Sequence, residues 1–522
     1  MLELQRILGY SCAFVGAVVL LVAGWAHPRS EDRMPDWPRA ITYEIFVQSF
    51  ADTNNDGIGD LDGVTMHLDS LQRMGVKAIW LMPIHPSPSY HKYDVTDYRA
   101  IHPDYGTMED FEELVRAAHA KGIKVIIDLV INHTARTHPW FRKALADTTS
   151  RYHDYYVWKD SSQITDATVE ETGPDTDNVQ RWHPIAGRSE RYYAYFWGGM
   201  PDLNFDNPAV RKEILDIGRF WLKKGVDGFR LDAAKHIYID HQKNHAWWQT
   251  FRKEMQDVEP NVLLIGEVWD RAEIVQPYLK GLDALFNFDM AAAMLNAVKT
   301  GDGDSLAYRH KQVREKYQAV APDFIDATFL ANHDQNRVRS VLNGDRKAKM
   351  AANLLFTLPG APFVYYGEEI GMRGMKPDPH IREPYLWQET PGAPYRTTWI
   401  DPKYSTDSTV VPRARQAARD TSMLHHYTEM MALRNDSPAL TMGRMQPVML
   451  PNEHLTAFVR LHPEEHLLVV HNVADRAVSA PMPDSLRRYT TELFTSNAAA
   501  EVMPEGVTLP PYSTVIMRAP DK

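Results

Sequence analysis

The chain has 522 residues, 44% hydrophobic and 24% charged, with 57 Lys and Arg against 68 Asp and Glu for a formal net charge of −11. That length and balance exclude a disordered or fibrous chain and allow a large core with more than one domain. No run of lysine or arginine occurs, which argues against a nucleic-acid partner or an anionic membrane surface and for a neutral substrate.

The first element is "YSCAFVGAVVLLVAGWA", an uncharged stretch closed by the small residues Gly24 and Ala26. It predicts a secretory signal over 1–26, cleaved near Ala26, and a secreted or periplasmic protein with no membrane contact afterwards. The alternative is an uncleaved anchor, for which the stretch is slightly shorter than the about 20 residues a span needs. The single cysteine, Cys12, lies inside it, so a cleaved chain has no thiol and no disulfide.

Eight short apolar runs follow: "ITYEIFV" (41–47), "KAIWLM" (77–82), "KVIIDLVI" (124–131), "VDGFRLD" (226–232), "NVLLIGEV" (261–268), "ALFNF" (284–288), "ATFLAN" (327–332) and "PFVYYG" (362–367). Amphipathic helical patterns lie between them, such as 108–122, 208–225 and 345–360, the second opening with proline and several closing at glycine. Continuously apolar strands are buried on both faces, and eight of them alternating with helices predict a parallel (β/α)₈ TIM barrel over 36–133 and 198–436. A doubly wound open sheet is the alternative.

Two stretches break the alternation. Residues 134–197 are polar, aromatic and aperiodic, too long for a barrel loop, and predict a small inserted domain after the third strand, over the active face. From Ser437 the helical patterns stop and short alternating segments begin, predicting a C-terminal all-β sandwich over 437–522.

Reactive groups of such a barrel project from the C-terminal strand ends. That rule selects Asp232, Glu267, His333 and Asp334. Side chains alternate along a strand, so Arg230 and Asp232 share a face, and the fixed cation favours an ionised, nucleophilic Asp232. Glu267 follows "VLLIG" and precedes Val268 and Trp269, an apolar setting that makes it the better proton donor. One carboxylate held ionised and one held protonated is the arrangement that splits a glycosidic bond through a covalent intermediate, with the carboxyls about 5–5.5 Å apart. A second candidate is "DTNNDGIGD" (52–60), where Asp52, Asn54, Asp56, Asp60 and the Ile58 carbonyl offer oxygens to a hard cation, or simply form turns.

"DLVINH" (128–133), "GFRLDAAKH" (228–236), "GEVWD" (266–270) and "FLANHD" (329–334) resemble the four ordered regions of the α-amylase family, glycoside hydrolase family 13, and "MPDLN" (200–204) resembles its fifth. The resemblance implies that Asp232 is the nucleophile, Glu267 the general acid/base and Asp334 the transition-state stabiliser. It implies that Arg230, His133 and His333 bind the sugar at the cleavage subsite and that Tyr93 of "HKYDVTDY" stacks on it. Loop 52–60 resembles the first-loop calcium site of bacterial members, which implies a structural Ca²⁺ held by Asp52, Asn54, Asp56, Ile58 and Asp60. Asn132 resembles a ligand of a second calcium, for which no partners are identified.

Lys235 and His236 resemble the pair that binds the leaving-group side of the chain in α-1,4-glucan-cleaving amylases. "MPDLN" lies between the oligo-1,6-glucosidase and neopullulanase versions, and "IREPYLW" (381–387) resembles a segment of the glucosidase branch. The expected protein is a monomeric, secreted, retaining α-amylase-type hydrolase of starch and maltooligosaccharides. An α-glucosidase or a trehalose-synthase-type isomerase would use the same carboxylates. A non-catalytic, membrane-tethered transporter subunit shares the fold, but such subunits generally lack part of the catalytic set, which is complete here.

Overall fold

The computed structural model describes residues 37–164, 180–389 and 393–520, so the predicted signal segment lies outside the described residues. Eight parallel strands close into a barrel: β1 (Thr42–Ile45), β2 (Ala78–Leu81), β3 (Lys124–Leu129), β4 (Gly228–Leu231), β5 (Leu263–Gly266), β6 (Ala284–Phe286), β7 (Ile325–Phe329) and β8 (Ala361–Tyr365). Strand β8 pairs back onto β1, with Phe363 opposite Thr42. The TIM-barrel reading therefore holds and the open sheet does not. Strand β7 begins at Ile325 rather than at Ala327, because the charged Asp326 that masks it in sequence is buried against His310 and Asn287, each 2.9 Å away.

Period-two alternation divides strands such as β2, β3 and β5 between two cores. Ile79, Leu81, Val125, Ile127, Phe229 and Leu264 belong to the core that also takes in the helices. Ala78, Trp80, Ile126, Ile265, Phe286 and Phe363 fill the barrel interior. Strand β4 has room inside only for glycine at its start: a Cβ on Gly228 would lie 2.6 Å from the Leu263 carbonyl oxygen.

Among the described residues eight longer helices accompany the strands: α1 (Leu61–Met74), α2 (Met108–Ala120), α3 (Pro208–Lys223), α4 (His241–Gln256), α5 (Phe288–Thr300), α6 (Leu306–Val320), α7 (Asp345–Thr357) and α8 (Met423–Asp436). Their ends follow local chemistry. Asp60 caps α1 through the Gly63 N–H, and α1 stops at Gly75, whose φ of 103° suits glycine. Thr107 and Asp110 form a capping box on α2, and Asn207 caps α3 ahead of Pro208.

Between β3 and α3 the chain forms a helix, Pro139–Ala146, and a three-stranded antiparallel sheet of Trp158–Asp160, Glu190–Tyr193 and Trp182–Pro184. This insert is stitched to the barrel end by backbone bonds, Thr134 N–H to Pro201 O (3.1 Å) and Arg136 N–H to Gly199 O (2.8 Å), and the chain on either side of it is joined by Leu203 N–H to Asn132 O (2.9 Å).

The C-terminal region opens with a single helical turn, Pro438–Thr441, a departure from the all-strand expectation that Pro438 at its first position explains. Then come β9 (Arg444–Val448), β10 (Leu455–His462), β11 (Glu465–Asn472), β12 (Val478–Pro481), β13 (Thr491–Thr495), β14 (Glu501–Met503), β15 (Gly506–Leu509) and β16 (Ser513–Arg518). They form a five-stranded sheet, β9-β10-β11-β16-β13, and a three-stranded sheet, β12-β15-β14. One face of the larger sheet (Leu455, Leu468, Val515) packs on the smaller, and the other (Phe458, Val469, Ile516) joins the core around the barrel. Among the described residues no helix is long and apolar enough to cross a membrane.

Arg460 on β10 ties the two parts together. Fully buried, it donates to the carbonyls of Thr357, Leu440 (2.7 Å) and Gly443 (3.1 Å), the first at the end of α7 and the others around the Pro438–Thr441 turn. Replacing it by alanine leaves those carbonyls unpaired in a dry interface. Arg460→Ala should lower unfolding free energy by about 3 kcal/mol, read from denaturant titration; an unchanged midpoint would show that the contact contributes nothing.

Candidate active site

The parity that gives Ile126 of β3, opposite Gly228 of β4, to the interior core also turns the next same-face pair, Asp128 and Arg230, inward, one step nearer the C-terminal rim. Arg230 is 1% exposed. Its Nη1 lies 2.6 Å from Asp232 Oδ1 and 3.0 Å from both Asp128 oxygens, and its Nη2 lies 2.7 Å from Glu267 Oε2. One guanidinium thus holds three carboxyl groups from three strands. The sequence parity argument foresaw only the Asp232 contact. Asp128 sits in the run "KVIIDLVI" on the same face as Ile126 and could have been found by the same reasoning.

Burial pushes the Glu267 carboxyl up to about 7; Arg230 opposes this, and the neighbouring Asp232 and Asp334 add to it. Asp128 is raised in the same way, chiefly by burial. Arg230 is held cationic against its own burial by Asp128 and Glu267 first. Glu267 Oε2 also accepts from the Ala233 N–H at 3.2 Å, a donor aimed by the left-handed backbone of Ala233 (φ 49°).

A second cluster hangs on His333. Its Nδ1–H donates to Glu44 Oε1 at 2.5 Å, and its Nε2–H faces Tyr93 Oη at 2.6 Å and Asp334 Oδ2 at 3.0 Å. Burial works against a charged ring here, but Asp334 and Glu44 on its two sides push it up to about 10. Burial likewise opposes ionisation of Asp334, yet His333 and then Arg382, 2.8 Å away, hold it well below the usual carboxylate range. Tyr93 stacks on His333 at 5.4 Å and donates to Asp128 Oδ2 at 3.0 Å, which joins the two clusters. Glu44 and Arg382 are further members that sequence reasoning missed. Glu44 is an acid on the inward face of an apolar run, whereas Arg382 arrives from a distant loop that no local pattern assigns to the site.

Above these groups lies a cleft of about 350 Å³. Asp232, Glu267, Asp334, Tyr93 and His133 line it, as do Phe196 and Trp197 from the insert, Trp269, and Arg382. Arg230 and His333 lie beneath its floor. His133 is fixed by its Nε2 on the Tyr93 carbonyl at 3.1 Å. Lys235 and His236 are not among the lining residues: Lys235 is buried and donates to the Trp269 carbonyl at 2.9 Å, and His236 stacks on Tyr195 at 3.7 Å. Asn132 donates to Asp202 Oδ2 at 3.2 Å.

Loop 52–60 is built from turns. Asp52 and Asp60 are buried, and Asn54 and Asp56 are exposed. Asp52 accepts from the N–H groups of Asn55 (2.7 Å) and Gly57 (2.8 Å), Asn54 from Asp56 (2.9 Å), Asp56 from Ile58 (2.8 Å), and Asp60 from Thr53 (2.8 Å) and Gly63 (2.7 Å). Among the described residues no group of three or more His, Cys, Asp or Glu is gathered as a metal cluster. The loop's donors are all hard oxygens, as a hard cation rather than a soft one requires, and of these carboxylates Asp60 already accepts two hydrogen bonds at each oxygen, from the Thr53 N–H and hydroxyl and the Gly63 N–H.

The family model for the alpha amylase catalytic domain matches residues 44–443. The model for the alpha-amylase SusG C-terminal domain matches residues 455–516. Alpha-amylase 3 of Dictyoglomus thermophilum is 42% identical over 487 residues, which cover 93% of this chain and 94% of the relative. A 4-alpha-glucanotransferase of Thermotoga neapolitana is 32% identical over 483 residues, covering 91% of this chain and all of the relative. An alpha-amylase structure from H. orenii superposes with a TM-score of 0.85 at 42% identity, over 92% of this chain and 99% of that one.

Removing the shared cation tests the electrostatics directly. In Arg230→Met, the three carboxyls can stay buried only by keeping protons that the unfolded chain releases above its ordinary carboxylate pKa. Raised native pKa values mean stability lost as pH rises, so the deficit against wild type should reach about 3–5 kcal/mol near pH 8 and be smaller near pH 5. Guanidinium unfolding at the two pH values reads the difference; equal deficits would contradict it.

Proposed function

Starting from the chain's membership of the α-amylase family, we propose that it is a hydrolase of α-1,4-glucosidic bonds in starch and maltooligosaccharides, acting with retention. The observation that carries this reading is the Arg230 guanidinium shared between Asp232 and Glu267, with burial pushing Glu267 up to about 7. Two carboxyls on adjacent strand ends, both held by one cation and one of them raised by burial so that it can give a proton, suit double displacement.

In that mechanism Glu267 delivers its proton to the glycosidic oxygen as the C1–O bond breaks, and an Asp232 oxygen attacks C1 to form a glycosyl ester. Glu267, now a carboxylate, takes a proton from water; the water oxygen attacks C1 and releases Asp232. Asp334, kept ionised by His333 and Arg382, stabilises the positive charge that develops on the sugar ring. Tyr93 offers a ring face to the sugar, with His133 beside it. Lys235 and His236 serve the leaving-group side, Lys235 by fixing the Trp269 backbone and His236 from its stack on Tyr195. The glucanotransferase relative favours a second reading in which a sugar hydroxyl replaces water as acceptor.

Calcium is proposed as a structural ion of loop 52–60, held by Asp52, Asn54, Asp56, the Ile58 carbonyl and Asp60. When bound it would supply charge that pins this loop to the start of α1. We further infer export and cleavage near Ala26 from the N-terminal sequence, and expect a monomeric mature enzyme.

Chromatography of products from soluble starch, maltose and isomaltose in parallel tests the activity. Early mixed maltooligosaccharides from starch, with Asp232→Asn slower by several orders of magnitude and folded, are expected; glucose or trehalose from the disaccharides with starch intact would overturn the reading. For the metal, chelation should lower the melting temperature and added Ca²⁺ restore it; a melting temperature indifferent to both would remove calcium.

A further inference from the structure

One side chain belongs to two cavities. Trp197 lines the cleft above Asp232 and Glu267 and also a second groove of about 570 Å³ on the insert. The cleft and the groove therefore both border on this residue. Trp197 is 53% exposed, and its place depends on the next glycines: a Cβ on Gly199 would lie 2.1 Å from the indole Cζ2. With glycine there, the ring lies against backbone on one side and leaves the rest of its surface to solvent.

Past Trp197 the groove is walled by Asp94, Arg136, His183 and Tyr192. These side chains are held in place. Tyr192 donates to the Gly198 carbonyl at 2.7 Å, His183 stacks on its ring at 5.3 Å, and the Arg136 guanidinium lies over that ring at 5.8 Å. Asp94 accepts from Ser87 Oγ at 2.7 Å. An exposed aromatic face followed by the exposed Arg136 and the half-buried His183, with Asp94 and Tyr192 buried behind them, matches a neutral pyranose, which has apolar ring faces and a rim of hydroxyls. A single-sign lining, as an anionic ligand would require, is not present among these walls.

We propose that Trp197 is a sugar-stacking platform that carries an α-glucan chain out of the catalytic cleft and into the groove of Asp94, Arg136, His183 and Tyr192. The site then binds a chain longer than the cleft alone accommodates, and Trp197 determines chain-length specificity. This rests on the α-glucan reading of the cleft.

The test compares kcat/KM for maltoheptaose and maltotriose in wild type, Trp197→Ala and Arg136→Ala, with binding of both sugars to Asp232→Asn and to Asp232→Asn/Trp197→Ala by calorimetry. Loss of one stacking platform should lower the heptaose-to-triose ratio of kcat/KM about tenfold in Trp197→Ala. Arg136→Ala, which lies only in the groove, should lower the ratio severalfold, and the double variant should lose heptaose affinity selectively. A ratio unchanged in either single variant overturns the proposal, since Trp197 would then only shape the cleft or the groove would bind no sugar. Trp197-dependent heptaose binding without turnover by wild type would sink the hydrolase reading while leaving the groove; turnover with length-independent binding would do the reverse.

Discussion

A guanidinium buried at the rim of the barrel, holding three carboxyl groups within hydrogen-bond reach, is the interaction on which the site depends. Without it, Asp128, Asp232 and Glu267 would crowd like charges at the largely buried floor of the cleft, and the fold would answer by protonating or separating them. With it, the groups need not behave alike. Glu267 retains a high pKa because burial outweighs the cation.

The second cluster applies the same logic with the signs exchanged. His333 is a buried cation because Glu44 and Asp334 flank both ring nitrogens, and Asp334 is a buried anion because His333 and Arg382 flank it. Tyr93 touches both clusters through one hydroxyl, so the charged groups form a continuous network under the cleft. Such a network keeps its geometry only while every member is satisfied.

The barrel was legible because eight apolar runs alternate with helices, a pattern set by burial on both strand faces. Asp326 hid the start of β7, since a charge inside a strand resembles a boundary unless its partners, His310 and Asn287, are known. At the site, Asp232, Glu267, His333 and Asp334 were legible as polar groups ending apolar runs. Asp128 and Glu44 were overlooked although strand parity turns them inward, and Arg382 was beyond reach, because its approach to Asp334 is made by the tertiary path of a loop. The positions of Lys235 and His236 away from the cleft wall are tertiary too: the Trp269 carbonyl and the Tyr195 ring decide them.

The arginine that joins barrel and sandwich has a bearing on modularity. Arg460 belongs to the C-terminal sheet, but one of the carbonyls it satisfies belongs to the last turn of a barrel helix. The two regions correspond to separate family models, yet neither surface is complete alone: the sandwich would expose a naked cation and the helix an open end. Recombination that exchanges one region must therefore transfer, or independently supply, the matching half of this contact. The unit that evolution or an engineer can shuffle is larger than either domain boundary implies.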